Sequence, residues 1–407
     1  MYAFKPHVLT ARSLYSITKP EGRLDVILCC DGKNLYFNSM SGIDSDFHKI
    51  WKYNLAGQQW RLLSSIRHLK NKHDSHDVLI GTAFESKYLV ICTLQRYYTR
   101  HTPFIHTPAR RTCHLYVCDL NSKSSLVRKT GRQVPNHSLR HNFIRHGKYL
   151  YTIGIQRDFY KTFLDVYKLN MENDIWEVVY ICQGLDANEP VNGSDHTLVY
   201  SNNMIYIFGD GNRSTGGRLS SFTKISAFDL EESCWKIIDT YGDENHTPQY
   251  PTDRQVFGVT SYTDPDSGDI NVIISGGADF KFNINDELIF NDSDYDEFYD
   301  VWRLNLTNLK WTCLERFGTV LPSHIEDLSI TISPAGKLFI YDENIFEPTE
   351  EQKTGIPALH STWLRIPKLT DICWEAVFHY FPNLKSMTDE EIISLGIPLQ
   401  SFKSRID

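Results

Sequence analysis

One unit recurs along most of this 407-residue chain. An Asn or Asp is followed by an aliphatic residue, and a Trp stands six positions after the Asn or Asp. The copies are Asn54-Leu55…Trp60, Asn170-Met171…Trp176, Asp229-Leu230…Trp235 and Asn305-Leu306…Trp311. Asp119-Leu120 keeps the first half and has Ser125 in the Trp position. The units stand roughly 50 to 75 residues apart, and a period of that length marks an architecture of stacked copies of one supersecondary unit. Ahead of each unit lies an apolar β-run: Leu35 to Phe37, Tyr88 to Cys92, Tyr149 to Ile153, Met204 to Phe208 and Asn271 to Ser275. A sixth run, Lys337 to Tyr341, is followed by Thr362-Trp363-Leu364-Arg365-Ile366, expected as its outer strand. Hairpin turns enter the runs at Asp31-Gly32, His146-Gly147, Asn202-Asn203, Asp264 to Gly268 and Pro334 to Gly336. Six runs predict an all-β, six-bladed propeller of about four strands per blade, closed so that no long sheet edge is exposed. The Trp and the aliphatic residue before it are expected to fill the wedge between neighbouring blades. Closure by residues before Leu24 and closure by those around Thr362 both stay open.

Composition narrows the class. Apolar residues make up 41% and aromatic residues 13% of the chain, the profile of a well-buried β-rich protein. A formal charge of -8 argues against a general nucleic-acid binder, whose footprint would be basic. No apolar run approaches the ~18 residues that span a bilayer. The first residues lack a continuous apolar stretch before a small-residue cleavage site, so no secretory signal is expected there. The nine cysteines include no Cys-x-x-Cys pair, which favours reduced thiols over a disulfide framework or a zinc site. A cytoplasmic protein, with the nucleus as a further location, is the expectation.

Constellations that could carry chemistry fail on spacing. Asp292-x-Asp294-x-Asp296 opens like a calcium loop, but Glu297 replaces the required glycine and Arg303 the final carboxylate. Ser194-Asp195-His196 holds the three triad residue types, yet adjacent strand residues point to opposite faces. The histidines at 68, 73 and 76 lack a spaced carboxylate or cysteine to complete a metal shell. Neither an enzyme nor a bound cofactor is expected. Two long insertions remain, Tyr97 to Thr112 rich in Arg and His, and Phe280 to Tyr299 rich in Asp and Glu.

The last forty residues follow different rules. Leu369, Ile372, Cys373, Ala376, Val377 and Tyr380 recur at intervals of three and four, one face of a helix. Pro382-Asn383 stops that helix. Thr388 with Glu391 forms a capping box for a second helix, which Gly396 ends. The predicted organisation is a propeller over residues 1–366 and a helical tail over 367–407. Thr370, Asp371 and Glu375 leave the apolar seam narrow, a shape suited to a partner's groove.

The tail resembles that of kelch-repeat substrate receptors of cullin-2 RING ubiquitin ligases. Leu369-x-x-x-Cys373-x-x-x-Val377 resembles the BC box, the helix that holds elongin C, and Ile397-Pro398 with Phe402 resembles the cullin-2 box. Gly276-Gly277 and Pro251-x-x-Arg254 are similar to kelch-blade signatures. The resemblance implies binding of elongin B/C through Leu369, Ile372, Cys373 and Val377, and of cullin-2 near Ile397, Pro398 and Phe402. It also implies capture of a protein client, through its C-terminus, by arginines converging on the channel. Arg254 is the first candidate and Arg140, Arg157, Arg213 and Arg218 are others, because a guanidinium fork grips a carboxylate in two hydrogen bonds. Asp195 stands where the relatives carry an Arg. A kelch-type interaction scaffold with no ligase role is the alternative.

Overall fold

The computed structural model describes residues 7–8, 23–40, 47–56, 59–67, 75–85, 88–97, 112–120, 125–129, 141–157, 162–190, 193–211, 222–254, 257–280, 295–315, 328–342, 359–381 and 383–406. They form an all-β propeller followed by short C-terminal helices. Five sheets are four-stranded, spanning 23–67, 144–180, 193–239, 258–313 and 328–363. Six such blades were expected. The sheet that departs from the pattern lies at 75–142 and has five strands, with His141–Asn142 added parallel to the edge of Ser75–Glu85. It is the sheet whose repeat lacks the Trp. Ser125 nevertheless pairs with Cys118, the register that the Trp holds elsewhere.

The apolar runs are the second strands of their sheets, and the inner strands neighbour one another around the ring. Arg23–Cys30 lies beside Leu328–Ile332, which completes the circle. The sheet at 328–363 corrects one expectation. Leu359–Trp363 is its third strand, and the outermost is His7–Val8, paired with Ser361 and His360. Residues from both ends of the chain therefore share one blade, so the ring is held by ladder hydrogen bonds as well as by packing.

The physical basis of the repeat lies in one turn. The Trp sits opposite the residue preceding the Asn or Asp in each copy: Tyr53 with Trp60, Leu169 with Trp176, Phe228 with Trp235 and Leu304 with Trp311. The Asn or Asp side chain caps the turn between these strands. Asn170 Oδ1 accepts from the N–H of Glu172, Asp229 Oδ1 from Glu231 and Glu232, and Asn305 Oδ1 from Thr307 and Asn308. The aliphatic residue donates its N–H to the chain entering the second strand, as in Leu55 to Lys33 O, Met171 to Lys148 O, Leu230 to Asn203 O and Leu306 to Ile270 O. Two residues before the Trp the backbone is left-handed, at Asp174, Ser233 and Leu309. That bend fixes the six-residue spacing.

Packing follows from this register. Trp176, Trp235 and Trp311 are fully buried and Trp60 is half-buried, each against the sheet that precedes its own. Trp235 shares a buried cluster with Ile153 and Leu164 of the 144–180 sheet, and Trp311 shares one with Val199 and Phe208 of the 193–239 sheet and packs edge to face on Phe222. The indole Nε1 of Trp311 also donates to Phe222 O at 3.0 Å and Thr240 Oγ1 at 3.2 Å.

Candidate functional site

Three helices close the described chain: α1 (Leu369–Tyr380), α2 (Asp389–Ser394) and α3 (Leu399–Ile406). α1 ends ahead of the Phe381-Pro382-Asn383 stretch. α2 begins at the expected capping box: Thr388 Oγ1 accepts the Glu391 N–H at 3.3 Å, and Glu391 Oε2 accepts the Thr388 N–H at 2.7 Å. The Thr388 N–H, and its hydroxyl at 3.0 Å, donate to the Glu391 carboxylate and hold it below its ordinary pKa. Gly396 follows with φ of 72°, a conformation glycine adopts without penalty.

The helices bury a small core of their own. Leu384, Ile392, Ile397 and Phe402 are its buried members, with Trp374, Val377, Phe378, Met387 and Leu399 packed around them. The Trp374 ring stacks on Phe402 at 6.4 Å. Burying the four central side chains supplies about 6–12 kcal/mol before entropy is counted, at roughly 1.5–3 kcal/mol each. This places Trp374, Val377 and Phe378 on the inward face of α1. Val377, expected on the elongin-binding seam with Leu369 and Cys373, instead packs on the tail core, because the core's remote residues take the helix face a turn beyond Cys373. The opposite face is apolar and exposed. Leu369 is 74% exposed, Cys373 and Ala376 are exposed, Tyr380 is 75% exposed, and Ile372 is half-buried at the margin.

α1 meets the 328–363 sheet through a polar contact that sequence spacing does not reveal. Glu375 accepts from Lys337 Nζ at 2.5 Å and from Trp363 Nε1 at 3.1 Å, and the Lys337 ammonium lies 5.3 Å from the centre of the Trp363 ring. The helix thus divides its faces. Glu375 holds the sheet, Trp374 and Phe378 hold the tail core, and Leu369 with Cys373 faces outward. The residues predicted as a cullin contact separate as well. Ile397 and Phe402 are buried inside the tail core, which their wide spacing from α1 does not disclose, and Pro398 is exposed.

Arg254 is fully buried and its guanidinium is occupied. Nε donates to Thr252 O at 2.8 Å, Nη1 to Gly276 O at 3.0 Å and to Asp300 Oδ1, and Nη2 to Asp300 Oδ2 at 2.9 Å. The Phe298 ring covers it at 4.2 Å, and Trp302 Nε1 donates to the same carboxylate at 2.7 Å. The fork expected to grip a client carboxylate is therefore closed on an internal one. Arg254 serves here to tie the start of the 258–313 sheet to the Gly276-Gly277 bend. Arg157 ends the strand Tyr149–Arg157. Arg140, Arg213 and Arg218 lie outside the described residues, as do most of both long insertions. A two-stranded ribbon, Ala278–Phe280 with Tyr295–Glu297, forms the base of the acidic one.

No protein-family profile matches the chain. A Kelch domain-containing protein 10 homolog of Drosophila melanogaster is 27% identical over 378 residues, covering 88% of this chain and 56% of that protein. This chain is similar to Kelch domain-containing protein 10. The Xenopus laevis protein of that name is 23% identical over 86% of this chain and 74% of its own length. The human one is 25% identical over 57% of this chain and 46% of its length. The chain thus spans about half the length of the fly and human relatives it matches. Among solved structures, the Phage phi92 endosialidase superposes with a TM-score of 0.51 at 10% identity, covering 90% of this chain and 70% of that one. That likeness is one of fold.

Proposed function

We propose that this chain is the substrate-recognition subunit of a cullin-2 RING ubiquitin ligase. In this reading the 75–142 sheet counts as the sixth blade of a propeller over residues 1–366, and residues 367–407 are a separate partner-binding tail. The coarser part, a non-catalytic protein-interaction scaffold, rests on the similarity to Kelch domain-containing protein 10 and on the propeller fold. The ligase role rests on one observation: the BC-box-like helix keeps Leu369 and Cys373 exposed while its opposite face is used for folding. An apolar side chain left in water on a well-anchored helix gains by entering a pocket, at about 25 cal/mol per Å² removed from solvent. Elongin C, with elongin B, is the partner assigned to this face. The cullin contact then falls to the exposed neighbourhood of Pro398, because Ile397 and Phe402 shape it from within.

The client side is a propeller face. A free C-terminus remains the proposed handle, but with Arg254 paired to Asp300 the grip passes to Arg157, Arg140, Arg213 and Arg218. The protein is assigned to the cytoplasm, with the nucleus as a further location. Co-purification of the full chain with elongin B/C from human cell extract, followed by a client-peptide array with free and amidated ends, tests the reading. Recovery of elongin and selective loss of the amidated peptides are expected. A chain that recovers other partners but no elongin is an interaction scaffold alone.

A further inference from the structure

His246 and the pair Cys313 and Glu315 come from distant segments, yet a ring nitrogen, the Sγ and a carboxylate oxygen lie within 4.8 Å of one another. His246 sits in the connection at 241–250 between two sheets, whereas Cys313 ends the outer strand Lys310–Cys313 and Glu315 follows it. Imidazole, thiolate and carboxylate together suit a borderline-soft dication, and zinc accepts three such ligands with water in the fourth tetrahedral position. The ligands are also held from behind. His246 Nδ1 is 2.8 Å from Pro248 O, which places the proton on Nδ1 and leaves the Nε2 lone pair facing Glu315 Oε2 at 3.7 Å. The Trp302 ring packs against the imidazole at 5.3 Å, edge to face. Asp243, in the same connection, accepts the Cys313 backbone N–H at 3.0 Å and fixes the strand end.

We propose that these three residues form a Zn²⁺ site that staples the connection at 241–250 to the outer strand of the following sheet. Tetrahedral ligand atoms about 2.0–2.3 Å from zinc stand about 3.5 Å apart, so closing the site needs movements of about an ångström. The exposed Glu315 side chain supplies most of that freedom and also leaves a path for the ion to enter. Binding displaces the Cys313 proton, and the ion's charge replaces the neutral thiol that burial otherwise favours. Sequence spacing hides the set, because only Cys313-x-Glu315 is local.

The test uses the full chain stripped of metal by chelator and titrated with Co²⁺, then with Zn²⁺ in competition. One equivalent of Co²⁺ should give a thiolate-to-cobalt charge-transfer band that Zn²⁺ erases, and Zn²⁺ should raise the midpoint of thermal unfolding. Cys313→Ser should abolish the band. His246→Gln and Glu315→Gln should each weaken binding by at least about 10-fold, the loss usual even for outer-shell partners. Cys313 is buried, so if its variant fails to fold, the partly exposed His246 carries the decision. No stoichiometric binding by the wild type, or an unchanged affinity in His246→Gln, overturns the site.

Discussion

Arg254 and Asp300 are 46 positions apart in the chain and form its most completely enclosed ion pair among the described residues. Replacing Arg254 by Met removes the two bonds to Asp300 and those to Thr252 O and Gly276 O. The carboxylate keeps the Trp302 indole as a donor. Truncating one side of a buried pair costs about 3–5 kcal/mol, mostly because the other charge stays in the interior without its partner. Loss of the stacking on Phe298 adds about 0.5–2 kcal/mol. Asp300→Asn should cost a similar amount, since the amide keeps one acceptor oxygen but takes the counter-charge from the buried guanidinium. The double variant should be less destabilised than the sum of the singles by about 2–3 kcal/mol, the size of coupling expected for directly bonded groups. Arg254→Lys should behave like Met, because an ammonium cannot span both carboxylate oxygens. Urea midpoints followed by tryptophan fluorescence give all four corners of the cycle. Single variants that cost under about 1 kcal/mol, or that add within about 0.5 kcal/mol, would refute a locked pair and return Arg254 to the client face.

Two further outcomes follow from burial. Trp311→Ala should destabilise the chain by about 3–5 kcal/mol, and Trp60→Ala by clearly less because Trp60 is only half-buried; chemical denaturation of both checks the ranking. Phe402→Ala should cost the tail about 3–5 kcal/mol while the blades stay intact. Hydrogen exchange would then rise across 369–406 and remain unchanged in the strands.

Much of the propeller is legible in the sequence because its signals are local. The Asn or Asp cap, the left-handed residue and the Trp fall within one turn, so their spacing survives wherever the loops vary. The hairpin entries are legible for the same reason: Gly32, Gly147, Asn202, Asn203, Gly268 and Gly336 all have positive φ, which their residue types announce. The closing strand is not legible. His7–Val8 is two residues long and is recognised only by its pairing with Ser361 and His360. His141–Asn142 is equally brief, and its parallel pairing alters a blade that the apolar run alone describes as regular. At the candidate site, the spacing of α1 places Leu369 and Cys373 together on its exposed side, but it also puts Val377 there, and Val377 packs on the tail core. The partners of Arg254, Glu375 and Phe402 could not be read, because each is supplied by a remote segment through a tertiary contact that has no period.

The central claim concerns α1 and is measured most directly by titrating purified elongin B/C into the full chain and into Leu369→Ala/Cys373→Ala. Leu369 is 74% exposed, so truncating it removes only about a quarter of a buried leucine's worth, about 0.4–0.8 kcal/mol of folding stability. The account predicts that the wild type binds elongin B/C, that the double variant loses the binding, and that their unfolding midpoints nearly coincide. A double variant that melts several degrees earlier, from a wild type that never bound elongin B/C, would contradict it.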